Sequence, residues 1–152
     1  MNFENVQSNY KTRMDADDWF VANGVVARLS KSAKIEDVDL INDEIEGDLR
    51  NTGMAFVIKA PRLKEGDSTR SGRAILYSVV DVVILENPEV NRKSTGINAT
   101  GVKAAVETIM ALLGHSQIRL DPGENVYQEV EGPSGLIAYV VRTIAICDIW
   151  AR

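Results

Sequence analysis

The chain has little with which to build a catalytic site: one histidine, His115, and one cysteine, Cys147, among 152 residues. Acid–base or nucleophilic catalysis needs a nucleophile, a base and a group that orients the base, so we predict no catalytic residues. His115 follows Gly114 at the end of a predicted helix, where an imidazolium would suit the helix C-terminus, and we assign it a capping or surface role. Cys147 stands in an apolar run and is interpreted as a small buried side chain.

Two stretches have residue types that bind ions or phosphate in other proteins. Residues 31–52 are rich in acids, but an EF-hand loop aligned on Asp37 has Asn42 where glycine is needed and Asp48 where glutamate is needed. We interpret these acids as a solvated face. The segment 92–96, RKSTG, lacks the glycines of a phosphate-binding loop. The sequence therefore predicts no metal site and no cofactor.

Composition narrows the classes of protein further. The formal net charge is -5, which predicts no general attraction to nucleic-acid phosphates or anionic lipid surfaces. No window approaches the roughly 18 apolar residues of a membrane span, and the N-terminus lacks the apolar core of a signal peptide. We therefore expect a cytosolic protein with no membrane contact, whose length suits a single domain over residues 14–152.

Two helices are predicted, preceded by a polar segment. Residues 1–13 lack hydrophobic periodicity and are predicted to form a flexible N-terminal arm. An acidic start at Asp15 and an apolar stripe predict a helix from Asp15 to Ser30. A second helix is predicted between a cap at Asn98 or Thr100 and Gly114. Its predicted apolar face consists of Val102, Ala105, Val106, Ile109, Leu112 and Leu113.

Strands fill most of the remainder. The segment 53–60, GMAFVIKA, predicts a strand that ends at Pro61, and the polar residues 62–73 predict a long hairpin loop or a flexible finger. A long strand then runs from Arg73 to the turn at Asn87–Pro88, a short strand lies around 125–130, and a last long strand follows from Leu136 to Trp150. The order α-β-β-α-β-β predicts an α+β fold, a two-layer sandwich of a mainly antiparallel sheet with both helices on one face.

The two long strands are apolar on both sides, which is unusual for a sheet with one solvated face. One explanation is that helices of the same chain cover both faces. The other, which we favour, is that neighbouring copies cover the second face or the overhanging strand ends. Asp81 and Asp148 lie in these apolar runs, and we predict a buried structural or interface ion pair, for example with Arg142.

The order and length of the predicted elements, together with their residue character, resemble those of the bacteriophage tail terminator proteins, which are also called minor tail or tail completion proteins. The resemblance covers residues 15–150 and is carried by the strand GMAFVIKA, the polar loop, the long valine-rich strand and the stretch ENPEVNRKSTGINATGVKAAVETIMALLGH. It implies a structural protein of the virion and not an enzyme, assembled in the host cytoplasm, that forms a homo-oligomeric ring, usually of six subunits. Such a ring caps the tail tube, ends its polymerisation, offers a surface to the head or neck protein, and lets DNA pass without specific binding.

The residues that we predict to contact other subunits, the tail tube protein or the neck protein lie on the polar loops and the two long strands. They are Arg62, Lys64, Arg70, Arg73, Tyr77, Val79, Asp81, Arg92, Lys93, Tyr139, Arg142 and Trp150. A head–tail connector or neck subunit is the nearest alternative. A small enzyme or ligand-binding domain would instead use the apolar second face as a pocket. An RNA-binding module is disfavoured because the sequence has no basic sheet face with interleaved aromatic residues.

Overall fold

One sheet organises the chain in this computed structural model, which describes residues 1–34, 43–70, 73–91, 101–120, 127–131 and 135–150. The strands follow one another across the sheet in the order β1-β2-β4-β7-β5, with β3 also paired to β4 and β6 to β7. Their bounds are β1 Ala27–Leu29, β2 Met54–Ile58, β3 Arg62–Arg70, β4 Arg73–Glu86, β5 Ile118–Arg119, β6 Tyr127–Glu131 and β7 Ile137–Trp150. Only the β1–β2 pair is parallel among these. The predicted α+β class, with long antiparallel strands, is confirmed.

Helices lie on both faces of this sheet. A short 3-10 helix, Phe3–Asn5, leads into the α-helices, whose bounds are α1 Val6–Ala16, α2 Asp18–Ala22, α3 Asp43–Asn51, α4 Pro88–Asn91 and α5 Gly101–Leu113. The prediction of two helices on one face is therefore too simple. We call the side that carries α1, α2 and α5 the first face and the side that carries α3 the second face.

Strands β4 and β7 form the spine of the sheet. They pair without a break from Arg73 opposite Trp150 to Glu86 opposite Ile137. Fourteen residues of strand span about 46 Å, whereas the thirteen residues of α5 span about 20 Å, so the helix covers less than half of the spine. The predicted lengths of these two strands are confirmed.

Strands β2 and β3 lie end to end along one edge of β4 and divide the sheet into two halves. Strand β2 pairs with residues 82–86 of β4, and β3 pairs with residues 73–79. We call the half formed by β2, residues 82–86 and residues 137–141 the base. The half formed by β3, residues 73–79 and residues 144–150 is the arm. The prediction of a loop or finger over 62–73 is wrong for residues 62–70, because backbone pairing with β4 overrides the low strand propensity of these polar residues.

The N-terminal segment departs most from prediction. Residues 1–13 are not a loose arm, because α1 places Val6, Tyr10 and Met14 on one fully buried stripe. The Tyr10 hydroxyl lies 2.6 Å from the Thr143 hydroxyl, which donates to the carbonyl oxygen of Val80. Burial raises the pKa of Tyr10. These bonds tie α1 to the spine of the sheet.

The helix predicted from Asp15 to Ser30 is also wrong, because it is broken in two places. Asp17 adopts an extended conformation, and its side chain accepts a hydrogen bond from the Trp19 N–H, which starts α2 as a separate helix. Gly24 then takes a positive φ of 64°, and the chain turns into β1. Asp17 therefore acts as a local helix cap within a segment whose apolar spacing suggests continuous helix.

In the base, the same chain covers both faces of the sheet. On the first face, Phe56 of β2 makes edge-to-face contacts with Trp19 and Phe20, with ring centroids 6.1 and 5.0 Å apart. On the second face, Ile45 and Leu49 of α3 pack against a separate cluster of buried aliphatic residues: Ala55, Val57, Val83, Leu85, Ala138 and Val140. In the base, the explanation that we favoured, cover by neighbouring copies, is therefore wrong.

Candidate interaction surface

Helix α5 presents its larger apolar residues to solvent. Val102, Val106, Met110 and Leu113 are exposed by 54, 44, 64 and 42%, respectively. They recur at four-residue and three-residue steps, so they share one side of the helix, and we call them the outer stripe. The predicted buried face is wrong for Val102, Val106 and Leu113, whereas Ala105 and Leu112 are buried as predicted.

Small residues explain why the helix is turned this way. The side of α5 that packs on the sheet carries Gly101, Ala104, Ala105, Thr108 and Ala111. A Cβ added to Gly101 would lie 1.9 Å from the Tyr139 ring, so the helix backbone lies too close to this ring for any larger residue there. Small residues form most of this packed side, with Leu112 as its one large member, and the four residues of the outer stripe lie away from it.

A second apolar patch lies at the opposite edge of the sheet. Val21 of α2, with Val26 and Leu29 at β1, are exposed by 63, 39 and 44%. We call these three residues the β1 patch. The β1 backbone is partly blocked for strand pairing, because Asp15 accepts from the Ala27 N–H at 2.8 Å and Lys11 donates to the Ala27 carbonyl at 2.6 Å. A partner could therefore contact the side chains of the β1 patch more readily than it could pair with the backbone of β1.

The second face of the arm has an ion pair network at its border with the base. Asp81 is 2% exposed and accepts from Arg142 Nε at 2.8 Å and from Arg62 Nη2 at 3.1 Å. The predicted pairing of Asp81 with Arg142 is confirmed. Two guanidinium groups thus donate to one buried carboxylate.

Beyond this network, the arm carries half-buried apolar side chains on its second face: Ile75, Tyr77, Val79 and Ile146. Arg119 of β5 lies over the Tyr77 ring, with its guanidinium carbon 4.8 Å from the ring centroid. Arg119 is itself exposed. Among the side chains of this region that the structure describes, Arg62, Arg119 and Arg142 outnumber the one carboxylate, Asp81.

Helix α3, at the β1 edge of the same face, is acidic. Arg28 of β1 donates to both oxygens of Asp48, each at 3.0 Å, and its Nη1 lies 3.6 Å from Glu44. The hydrogen bond with Asp48 raises the pKa of Arg28. Asp43 and Glu46 are exposed in the first turn of α3, so the helix carries more negative charge than Arg28 offsets.

The structure separates the sequence-predicted contact residues into three groups. Arg62, Tyr77, Val79, Asp81 and Arg142 meet on the second face of the arm. Tyr139 is instead 7% exposed in the first-face core, so its place at a contact surface is wrong. The third group falls outside the described part of the molecule: the side chains of Lys64, Arg70, Arg73, Asp148 and Trp150, and all of Arg92 and Lys93.

His115 and Cys147 have local structural contacts. The His115 Nδ1 accepts from the Gln117 N–H at 3.1 Å, which requires that nitrogen to be unprotonated. Burial, the Arg13 guanidinium and the N-terminal ammonium lower the pKa of His115. His115 thus accepts a bond within the turn that follows α5, and the suggested imidazolium at the helix C-terminus is disfavoured. Cys147 is buried, as predicted, with its Sγ 3.8 Å from the Ser78 hydroxyl.

Several residues of these surfaces were missed in the sequence because their signals are weak. Arg119 belongs to a two-residue strand, which is too short for a periodic pattern. The outer stripe did leave a signal, since apolar residues occupy more than one side of α5, a property of helices that are buried on both sides.

Comparison with known proteins gives no identity: no family model matches the chain, and no curated protein matches it. Within the described ranges, no group of three or more His, Cys, Asp or Glu side chains is arranged to hold a metal ion. Among the same residues, no helix has the length and apolar character needed to cross a bilayer. The distinctive features of the described molecule are thus its two apolar patches and its two oppositely charged surfaces.

Proposed function

We propose that this chain is a structural subunit of a bacteriophage tail, which forms a ring of identical copies that caps the tail tube and ends its polymerisation. The single observation that supports a ring is the outer stripe of α5, where four large apolar side chains are 42 to 64% exposed at helical spacing. Contiguous apolar surface of this kind marks sites of association. The assignment to a phage tail comes from the resemblance of the chain's element order and residue character to the tail terminator proteins.

The arm suits a subunit that also meets a different protein. Its strands continue past the helices of the first face, and its second face combines half-buried aliphatic residues with the arginines around Asp81. Interfaces are enriched in arginine and tyrosine, and both occur here at Arg62, Arg142 and Tyr77. We assign the arm to contacts with the tail tube protein or the neck protein, and the ring lumen to the passage of DNA without specific binding.

The test is to polymerise the purified tube protein of the same phage with and without this chain. Tubes of limited length with a ring at one end are expected when the chain is present, and overlong tubes when it is absent. Met110→Lys provides the matched variant, because Met110 is 64% exposed and a lysine there leaves the core intact while placing a charge in the outer stripe. We expect this variant to fold normally and to lose capping.

Two results would contradict the proposal. One is tube length that does not depend on the chain, with no co-sedimentation of chain and tubes. The other is a stable monomer whose melting temperature rises with a small ligand, which would favour a ligand-binding domain. Rings that bind portals and not tube ends would favour the connector or neck alternative.

A further inference from the structure

The two lateral edges of the sheet differ in a way that makes them complementary to each other. β1 forms one edge, and β5 and β6 together form the other, because β5 pairs with residues 144–145 of β7 and β6 with residues 137–141; we call this second edge the β5 edge. Helix α3 belongs to the β1 edge, because Arg28 of β1 binds its Asp48. Helix α5 packs on β7 and β5 and so belongs to the β5 edge. Each edge therefore has one apolar patch and one charged surface.

The apolar patches lie in the first-face layer. The β1 patch includes Val21 of α2, a helix that packs on the first face, and Leu29, which points to the same side of β1 as the buried Ala27. The outer stripe belongs to α5, which packs on the first face at the β5 edge. Apolar side chains are thus exposed at both edges in the same layer.

The charged surfaces lie in the second-face layer. At the β1 edge, α3 exposes Asp43 and Glu46. At the β5 edge, Arg119 lies opposite Ile144, and Arg142 of the neighbouring strand lies opposite Asp81, which places both arginines on the second face. Among the described side chains, those that we name at one edge are acidic and those at the other are basic.

From this arrangement we infer that the copies of the proposed ring meet head to tail, with the β1 edge of one subunit against the β5 edge of the next. In that contact the β1 patch meets the outer stripe, and Asp43 and Glu46 of α3 meet Arg119 and Arg142. A rotation about an axis roughly along the strands keeps every first face on the same side of its sheet. Apolar surface then meets apolar surface, and acid meets base, at every repeat.

A two-fold dimer with second faces together would pair the same charges but leave both apolar patches exposed. The head-to-tail contact covers all four surfaces, which is why we prefer it. This inference rests on the proposed function, because the partner in the contact is a second copy of the chain in the ring. The ring could still form through other surfaces if this particular contact is wrong.

The test is a charge exchange between the two edges, measured by sedimentation of the full chain at low salt and in the presence of tail tubes. Arg119→Glu and Glu46→Arg each place like charges across the contact, and we expect each to weaken association roughly tenfold or more. The double variant reverses the pair and is expected to restore most of the lost association. Unchanged thermal unfolding of each variant shows that the fold is intact.

Two controls separate this contact from a general effect of charge. Arg50→Glu makes the same change in charge as Arg119→Glu, but on α3, whose surface is already acidic, and is expected to leave association unchanged or tighter. Met110→Lys disrupts the apolar layer without touching the charged layer, and is expected to weaken association to a similar degree.

Each other outcome overturns something specific. If the charge exchange has no effect, or the double variant is no better than the single variants, while rings still cap tubes, the contact is wrong and the proposed function stands. If the charge variants weaken association but Met110→Lys does not, the two-fold dimer replaces the head-to-tail contact. A chain that stays monomeric at its highest soluble concentration and on tubes overturns both the contact and the ring.

Discussion

The base and the arm are built on the same two strands, yet among the described residues only the base has helices on both of its faces. In the base, α1 and α2 cover one face and α3 covers the other, so Val82, Val83 and Ile84 are all fully buried. In the arm, the second face keeps Tyr77 and Val79 half-buried. In the sequence, the strands of both halves are apolar on both sides. This pattern predicts that both sides are buried, but it does not show whether the same chain or another molecule buries them.

The strongest test of this comparison removes one large side chain from each half. Phe56→Ala opens a cavity beside Trp19 and Phe20 in the base and is expected to lower the free energy of unfolding by about 3–5 kcal/mol. Leu63→Ala in the arm removes a side chain that is 62% exposed, and we expect a change within about 0.5 kcal/mol. Urea denaturation of both variants measures the difference. Equal losses would mean that the arm is as tightly closed as the base.

A substitution at the border between the base and the arm is expected to cause an intermediate loss of stability. Asp81→Asn leaves Arg62 and Arg142 without their shared carboxylate, and the loss of one partner of a buried pair typically costs about 3–5 kcal/mol. Because both arginines still reach solvent, we expect about 2–3 kcal/mol here. Asp43→Asn, at an exposed carboxylate of α3, is the control and should change stability little. Similar small effects from the two variants would show that Asp81 is not a structural link between base and arm.

A smaller effect is expected where α5 packs on the base. Gly101→Ala places a Cβ against the Tyr139 ring, and the helix must shift, at a cost of about 1–3 kcal/mol. Gly47→Ala in α3 is the matched control, because a Cβ there meets nothing within 4 Å. That control is expected to stabilise the protein by about 0.5–1 kcal/mol, as alanine favours helix. Chemical denaturation of the pair distinguishes close packing from helix propensity, and a gain for both variants would contradict the packing.

The sequence alone was sufficient to predict the helices and strands whose hydrophobic pattern is long and regular. Strands β4 and β7 and helix α5 lie where they were predicted, because each has a long run of apolar residues with a proline or glycine signal next to one of its ends. The candidate surface was harder to predict, since Val102, Val106 and Leu113 of the outer stripe were assigned to the core and Met110 was not singled out. The direction in which α5 turns depends on the fit of Gly101 against Tyr139, a contact between residues far apart in sequence.

Polar segments were misread for a different reason. Strand β3 carries few apolar residues, and its conformation comes from backbone pairing with β4, which leaves no side-chain signal. Helix α1 is mostly polar, and only the three-residue stripe that includes Tyr10 marks its buried side. In both cases tertiary contacts decide a structure that local propensity does not favour.

The smallest expected effect concerns the turn that helps to close the first face of the arm. Residues His115–Ile118 lead from α5 into β5, and the N-terminal ammonium donates to the side chain of Gln117 in this turn. Since the pKa of His115 is lowered in the folded protein, the unfolded chain binds its proton more readily. Stability is therefore full above the usual histidine pKa of about 6.5 and is lost as the pH falls through that value.

His115→Asn isolates this contribution, because an asparagine side chain can accept from the N–H two residues on and does not titrate. We expect wild type to lose slightly more stability than the variant between about pH 7 and pH 5, measured as the difference between two urea titrations across that range. Hydrogen exchange should show the excess opening in residues 115–118 and the adjoining arm, with the base unchanged. Parallel pH profiles would mean that His115 binds its proton equally in both states, and that the closure of the arm does not depend on this turn.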